Sequence, residues 1–473
     1  MKTRFTTLVC CALATAASFA QTPFSHGRLR VSDNGRYLVH QDNTPFFYLG
    51  DTAWELFHRL NRDEADRYLK RRAEQGFTVV QAVALAELDG LNTPNANGDK
   101  PLTDNDPAKP NEAYFQHVDW IVDKAASYGI VVGLLPTWGD KLHKSTWGAG
   151  PEIFNTDNAR GFGRWIAKRY AGRDNIIWIL GGDRNPREGT QDVAVWRAMA
   201  EGIQEGAGGP DRALISYHPQ PTGDIPVGGS AKWFHQDSWL DFNMFQNGHC
   251  RDTPVWDHIA GVYDLKPVKP VMDAEPIYED HPVCFNAKDL GTSNAYDVRK
   301  VAYLDLFAGA HGHTYGCHDI WQMYAPNRQP VNGPHMPWYE AVELPGAGQM
   351  GHIRRLIESR PVLDRIPDQS LLVDPITNPA ERQQATRGRD YAFVYSAAGK
   401  PFTLNMGRIS GAEVTATWFD PRSGKTKTAG SFPNRNRQTF TPPDSGYGHD
   451  WVLILDDATK KYALPVAANQ QKP

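Results

Sequence analysis

The sequence predicts an α/β protein, a (β/α)₈ (TIM) barrel followed by a small antiparallel β-sandwich. Three observations carry that expectation. Between residues 45 and 320, eight short apolar runs alternate with helical segments, the pattern of parallel strands buried on both faces. The first run leads into "YLGDTAWELF", which lacks the glycine spacing of a dinucleotide fingerprint, and no phosphate loop occurs elsewhere, so eight strands favour a closed barrel over a doubly wound sheet. After about residue 365 the texture changes to short alternating strands separated by turn-like "SGK", "PNRN" and "DSGYG".

Residues 1–20 read as a secretion signal. Lys2 and Arg4 precede the apolar run "TLVCCALATAASFA", and Ser18 and Ala20 stand at the −3 and −1 positions of a cut that leaves Gln21 first. The run is too short for an anchor, and Cys10 and Cys11 fall before the cut, against a lipoprotein. A soluble protein without a membrane anchor, periplasmic or secreted, is expected. The formal charge of −4 becomes −6 once Lys2 and Arg4 leave. With no basic tract such a chain offers phosphate backbones little to hold, which argues against nucleic acid as a partner. Cys250, Cys284 and Cys317 remain, enough for one disulfide and no disulfide scaffold.

The barrel is assigned to 21–364 and the sandwich to 365–473. Expected barrel strands are "FFYLG" (46–50), "TVVQAVAL" (78–85), "VVGLLP" (131–136), "IIWIL" (176–180), "LISYHP" (214–219), "FNMFQNG" (242–248), "KPVMDAEP" (269–276) and "AGHTYG" within 310–316. Helices are expected over 61–76, 111–129, 158–172, 190–206 and 295–309, the first opened by a capping box from Asn61 and Glu64. Residues 91–111 read as a loop over the barrel mouth. "YAFVYSA", "PFTLNM", "AEVTATWFD", "RQTFTPP" and "WVLILDD" supply the sandwich strands.

In such a barrel the chemistry sits at the C-terminal ends of the strands. Polar residues there are Asp51, Gln81, Asp183, His218, Asn243, Gln246, Glu275 and His313. Strands four and seven face each other across a barrel, so Asp183 and Glu275 are placed to flank one bond, with Arg184 and Asp273 beside them as tuning groups. Glycoside hydrolysis needs such a pair in unlike states, one carboxyl protonated to push on the leaving oxygen and one ionised to meet the positive charge at the sugar carbon. The plainer alternative has Asp183 capping a loop and Glu275 bonding to backbone. Fourteen tryptophans and eighteen tyrosines mildly favour a carbohydrate site, because sugar rings stack on such side chains. A metal site from His311, His313, His318 and Asp319 is disfavoured, since strand alternation leaves His318 in a loop; neither metal nor cofactor is expected.

The stretch "FFYLGDTAWELFHRLNRDEADRYLKRRAEQGFTVVQAV", then "NIIWILGGDRNP", "KPVMDAEPIYE" and "HGHTYGCHDIW", resembles the apiosidase-like (DUF4038 type) glycoside hydrolases of family 140. The C-terminal part resembles the β-domain, of collagen-binding type, that accompanies them. The resemblance spans about residues 25–460 and implies a (β/α)₈ barrel hydrolysing an apiosyl linkage in side chains of the pectin rhamnogalacturonan II. It implies that Asp183, in "GGD", is the acid/base and Glu275, in "AEP", the nucleophile of a retaining mechanism. Asp51 and Trp54 are expected to line the pocket. Gln81, Trp138, His218 and Asn243 are candidates for sugar hydroxyls, with Arg184 nearby, and His313 and Tyr315 are expected to close the ring, either one orienting Glu275. The alternatives are a glycosidase of the same fold acting on another plant or microbial glycan, and a carbohydrate-binding protein without turnover.

Overall fold

A computed structural model of the chain describes residues 24–145, 147–224 and 227–465; the expected secretion signal lies outside them. The eight parallel strands of the barrel are β1 (Tyr48–Thr52), β2 (Val79–Leu85), β3 (Val131–Thr137), β4 (Ile176–Gly181), β5 (Ile215–His218), β6 (Asn243–Gln246), β7 (Val271–Glu275) and β8 (Gly312–Tyr315). They form one sheet in the order β5-β4-β3-β2-β1-β8-β7-β6. The seam between β5 and β6 is closed by a short exchange of hydrogen bonds. Asp241 N donates to Ile215 O (2.8 Å), Asp241 Oδ2 accepts from Ile215 N (2.7 Å), and Ser216 Oγ donates to Phe242 O (2.7 Å).

Alternation along the strands separates two cores. Tyr48, Val79, Val83, Val131, Leu135, Ile179 and Met272 fill the lumen, while Leu49, Val80, Ala82, Val132, Leu180 and Val271 face the helices. A three-stranded antiparallel sheet (Leu29–Val31, Leu38–His40, Pro45–Phe46) packs Leu29, Leu38 and Phe46 against the N-terminal end of the lumen. Trp54, Trp138, Tyr278 and Trp321 cap the same cluster at the opposite, C-terminal end.

Helices form where the sequence places them, and their starts follow from capping. Asn61 and Glu64 make a reciprocal box at Arg62–Glu74. The helix expected from residue 158 begins at Thr156, because Asn155 and Asn158 form a second such box. Two helices the sequence reading lacks, Val255–Tyr263 and Pro345–Glu358, complete the outer layer.

The C-terminal part pairs a six-stranded antiparallel sheet with a three-stranded one. Besides the two-residue Ile366–Pro367, two longer strands absent from the sequence reading belong to the larger sheet: Gln383–Arg387 and Thr426–Pro433. Neither carries an apolar alternation. Gln383 is buried because its Nε2 donates to Pro401 O (3.0 Å), and the edge strand Thr426–Pro433 stays largely exposed. On Tyr391–Ser396, Ala392 and Val394 enter the sandwich core while Tyr391, Phe393 and Tyr395 join the barrel core. Tyr303 of the Ala295–Phe307 helix stacks on Tyr395 with centroids 5.0 Å apart. Beside them Arg299 reaches across the junction to Asp450 through Nη2 (2.5 Å) and Nε (2.9 Å), both side chains buried.

Removing one member of a buried pair leaves an uncompensated charge, at a cost of about 3–5 kcal/mol. Asp450→Ala is therefore expected to lower unfolding stability by about that amount and to split the calorimetric transition, because the sandwich loses its charged anchor to the barrel. An unchanged, single transition would contradict it.

Candidate active site

The "GGD" turn begins where β4 runs out. Gly181 and Gly182 take positive φ values of 85° and 95°, and Asp183 follows at 53°. Only glycine fits the first two positions. A Cβ on Gly181 would lie 2.2 Å from His218 O, and one on Gly182 would lie 2.8 Å from Trp138 Cε3. Gly182 N donates to His218 O (3.0 Å) and Gly139 N donates to Gly182 O (3.0 Å), so the turn is tied to both neighbouring strands. The left-handed backbone at Asp183, which aspartate tolerates better than most residues, turns its carboxyl into the mouth.

Glu275 arrives by a different device. On β7, Met272 and Ala274 face the lumen, so strict alternation would send Glu275 outward with Asp273. The register against β6 shifts between Asp273 and Glu275, which pair with Phe245 and Gln246. The extra residue is a bulge, and it brings Glu275 round to the mouth. Asp273 Oδ1 accepts from Glu275 N (3.1 Å) and its Oδ2 from Asn247 Nδ2 (2.7 Å), fixing the bulge from the helix side.

Both carboxyls open into one cavity of about 580 Å³, within the range of sites that enclose most of a small ligand. Their surroundings push them apart. Burial first, then the charge of Glu275, raises the Asp183 carboxyl well above the usual carboxylate range. Arg184 Nη1, 3.7 Å from Oδ2, opposes this, as do hydrogen bonds from Trp147 Nε1 (3.1 Å) and Gln246. Burial acts on Glu275 in the same upward sense, but two histidines outweigh it and hold that carboxyl well below the usual range. His218 Nε2 lies 3.1 Å from Oε2 and His249 Nε2 lies 3.5 Å from Oε1. The His218 contact lacks the alignment of a directed hydrogen bond, and neither Nε2 nor Oε2 has another partner among the described residues. Trp54 and Trp138 enclose the His218 ring, with centroids 5.2 and 6.1 Å from it, and Trp54 Nε1 donates to Tyr278 Oη (3.3 Å).

Of the expected site residues, Asp183, Glu275, Trp54 and Trp138 line the cavity, as does Gln246 at the end of β6, and His218 braces Glu275 from behind. The others stand elsewhere, and for Asp51, Asn243, His313 and Tyr315 the reason is strand parity. Asp51 points outward and is fully buried against Arg72 Nε (2.5 Å) and the Tyr68 hydroxyl, so Thr52 holds the inward position. His313 and Tyr315 also face outward. His313 Nδ1 pairs with Asp305 (3.0 Å) and Tyr315 Oη donates to Glu279 (2.6 Å), so neither orients Glu275. Gln81 lies inside the lumen, donating to Thr314 Oγ1 (2.8 Å), below the cavity. Asn243 is buried against His235 Nδ1 (3.1 Å) and Ser230. Arg184 donates to the carbonyls of His143, Asp183, Lys144 and Trp147, shaping the loop that carries Trp147. The 91–111 loop does not reach the cavity.

Glu87, Trp147, His249, Tyr278, His281 and Phe285 line it instead, none of which the sequence reading named. Glu87, His249 and Tyr278 lie a few residues beyond a strand end, in "ALAEL", "FQNGHC" and "EPIYED", within reach of a reading extended past the strands, whereas Trp147, His281 and Phe285 stand farther along the loops that follow. A disulfide between Cys250 and Cys284 ties the His249 loop to the Phe285 loop, and Cys284 N donates to His249 O (2.8 Å). Gly181→Ala forces a Cβ into the His218 carbonyl. It is expected to cost more than about 2 kcal/mol in urea unfolding, whereas an open-surface glycine such as Gly189 should tolerate alanine far better.

The profile of the apiosidase-like catalytic domain matches residues 32–364, and that described as "Putative collagen-binding domain of a collagenase" matches residues 366–456. A solved structure described as a glycoside hydrolase is 36% identical, covers 93% of this chain and 99% of its own, and superimposes with a TM-score of 0.84. A glycoside hydrolase family 5 structure from Bacteroides vulgatus ATCC 8482 is 35% identical over 94% of this chain and 96% of its own, with a TM-score of 0.85. No curated protein matches. The barrel, the two carboxyls at its mouth and these matches agree: the chain is a glycoside hydrolase and belongs to the apiosidase-like family.

Proposed function

We propose a retaining glycosidase in which Glu275 is the nucleophile and Asp183 the acid/base, cleaving an apiosyl or similar pentosyl linkage of a pectic rhamnogalacturonan II side chain. The observation that carries the roles is the opposite displacement of the two carboxyls within one cavity. Glu275, ionised, attacks the anomeric carbon as the glycosidic C–O bond breaks, and the Asp183 proton passes to the leaving oxygen. Asp183, now a carboxylate, takes a proton from water, whose oxygen attacks the same carbon and releases Glu275. The family profile supports the apiosyl reading. A second reading, the same chemistry on another plant or microbial glycan, is favoured by the family 5 relative, whose match extends along almost the whole chain. A binding protein without turnover is disfavoured because both carboxyls face the cavity. The Cys250–Cys284 disulfide supports export to the periplasm or beyond, and no described helix is long and apolar enough to cross a membrane.

Glu275→Ala should lower kcat by about 10⁴-fold or more with the fold intact by circular dichroism. Incubation with an activated 2-fluoro glycoside should add one glycosyl unit to a peptide containing Glu275, read by mass spectrometry. Release of sugar with inverted anomeric configuration, read by proton NMR, would overturn the retaining assignment. The pH profile follows from the same pair. Because the Asp183 carboxyl is displaced upward, it holds its proton through the ordinary carboxylate range, and kcat/KM should fall on the alkaline side as that proton is lost. Because Glu275 is displaced downward, activity should persist into acid where an ordinary glutamate is protonated. Asp183→Asn should remove the alkaline limb with a dinitrophenyl glycoside, whose leaving group needs no proton.

A further inference from the structure

Six large apolar side chains stand exposed among the described residues, and four of them fall at the cavity rim or on one path leading away from it, a grouping that scattered surface residues would not give. Trp147 and Phe285, exposed to 48% and 64%, are the rim members, and they flank the two carboxyls. Trp147 Nε1 donates to Asp183 (3.1 Å). The Phe285 ring meets that of His249 with centroids 5.5 Å apart, and His249 Nε2 lies 3.5 Å from Glu275 Oε1. From Phe285 the surface continues along the short helix Ala287–Leu290 to Leu290, exposed to 43%, and on to Tyr447 of the sandwich, exposed to 65%. Arg251 underlies the whole path. Its neighbour Cys250 is bridged to Cys284, beside Phe285, and its guanidinium donates to Leu290 O (2.8 Å), Thr292 O (2.8 Å) and Asp297 (3.1 Å). Tyr447 Oη donates to the same Asp297 (3.4 Å) and accepts from Asn294 Nδ2 (3.0 Å). The Tyr447 turn is fixed as well. It lies between Gly446 and Gly448, at φ 133° and 77°, Gly446 N donates to Ala398 O (3.0 Å), and the phenol ring meets Tyr296 edge to face with centroids 4.7 Å apart. These contacts hold the backbone and the hydroxyl and leave the three side chains open to water.

We infer that Phe285, Leu290 and Tyr447 form a binding surface for the glycan that carries the cleaved linkage, so that the sandwich takes part in holding substrate outside the cavity. The inference rests on the glycosidase reading above, with the scissile bond between Asp183 and Glu275. A chain that leaves the cavity past His249 meets Phe285 first and then the ridge that runs from Leu290 to Tyr447. Sugar rings present C–H faces that stack on an aromatic ring or pack against a leucine, while their hydroxyls stay in water. A protein partner fits the surface less well, because a stable protein interface uses about 20–30 residues a side and the apolar part of this one is three side chains. A platform already held by a disulfide, a guanidinium and a glycine-flanked turn loses little freedom on binding, which favours even a narrow contact.

The test compares rhamnogalacturonan II with a dinitrophenyl apioside, which enters the cavity and is too short to reach the ridge. Leu290→Ala combined with Tyr447→Ala should raise KM for the polysaccharide about tenfold with kcat unchanged, and should leave kcat/KM for the aryl glycoside within about twofold of the wild type. Tyr447→Phe keeps the ring and removes the bonds to Asn294 and Asp297, so it should match the wild type on both substrates. A phenylalanine variant as weak on the polysaccharide as Tyr447→Ala would give Tyr447 a structural role and overturn the inference. An unchanged polysaccharide KM in the double variant would overturn it too. Both results leave the catalytic assignment standing, because hydrolysis of the aryl glycoside reports on it separately. Failure of the wild type to hydrolyse either substrate would overturn the pentosyl reading and the glycan surface together.

Discussion

An ionised carboxylate in a cavity walled by indole rings is the constraint on which the barrel mouth depends. Taking such a group from water costs several kcal/mol unless other polar groups replace the solvent. His218 and His249 do so for Glu275, and each is itself held. His218 closes β5, where the Gly181–Gly182 turn grips its carbonyl and Trp54 and Trp138 fix its ring. His249 is fixed by the hydrogen bond from Cys284 and by the disulfide next to it in sequence. The glycines of "GGD" thus serve both carboxyls: they turn Asp183 inward and lock the strand end that braces Glu275.

What the sequence made legible was the axial position of each residue, and what it hid was the face. Eight apolar runs gave eight strands in the expected places, and the two carboxyls at the ends of β4 and β7 meet in one cavity. Asp51, His313 and Tyr315 also stand at strand ends, yet a one-residue change of parity sends their side chains into the helix layer. Buried parallel strands read as continuous apolar runs, so no polar alternation marks which side is the lumen. Glu275 shows the converse. Simple alternation places it outward, and only the bulge held by Asp273 brings it to the mouth. The motif "VMDAEP" contains that device, since the aspartate that caps the bulge stands two residues before the glutamate, but its meaning emerges only from the register.

The unlike states of Asp183 and Glu275 come from their partners more than from their depth. Both are buried at the same mouth, and each would be raised by burial alone. Glu275 takes both histidines. Asp183 is left with one cation, Arg184, whose donors are occupied by backbone carbonyls. Once Glu275 is charged, its field keeps the proton on Asp183, so the polarity of the pair is self-consistent.

The sandwich has a structural part in this arrangement through the Ala295–Phe307 helix, whose residues from Tyr296 to Phe307 are all buried. A helix without a solvent face needs cover on every side. The barrel supplies one side, and the stack of Tyr303 on Tyr395 belongs to the other. The charges on this helix are matched accordingly: Asp297 by Arg251, Lys300 by Asp252, Arg299 by Asp450 of the sandwich, and Asp305 by His313 of β8. Asp305 also acts through space on Asp273, the residue that holds the Glu275 bulge. A barrel without its sandwich would expose Tyr303 and leave Arg299 unpaired on the helix that supports the back of the site. The covalent continuity of the two parts therefore has a physical reason that requires no ligand for the sandwich.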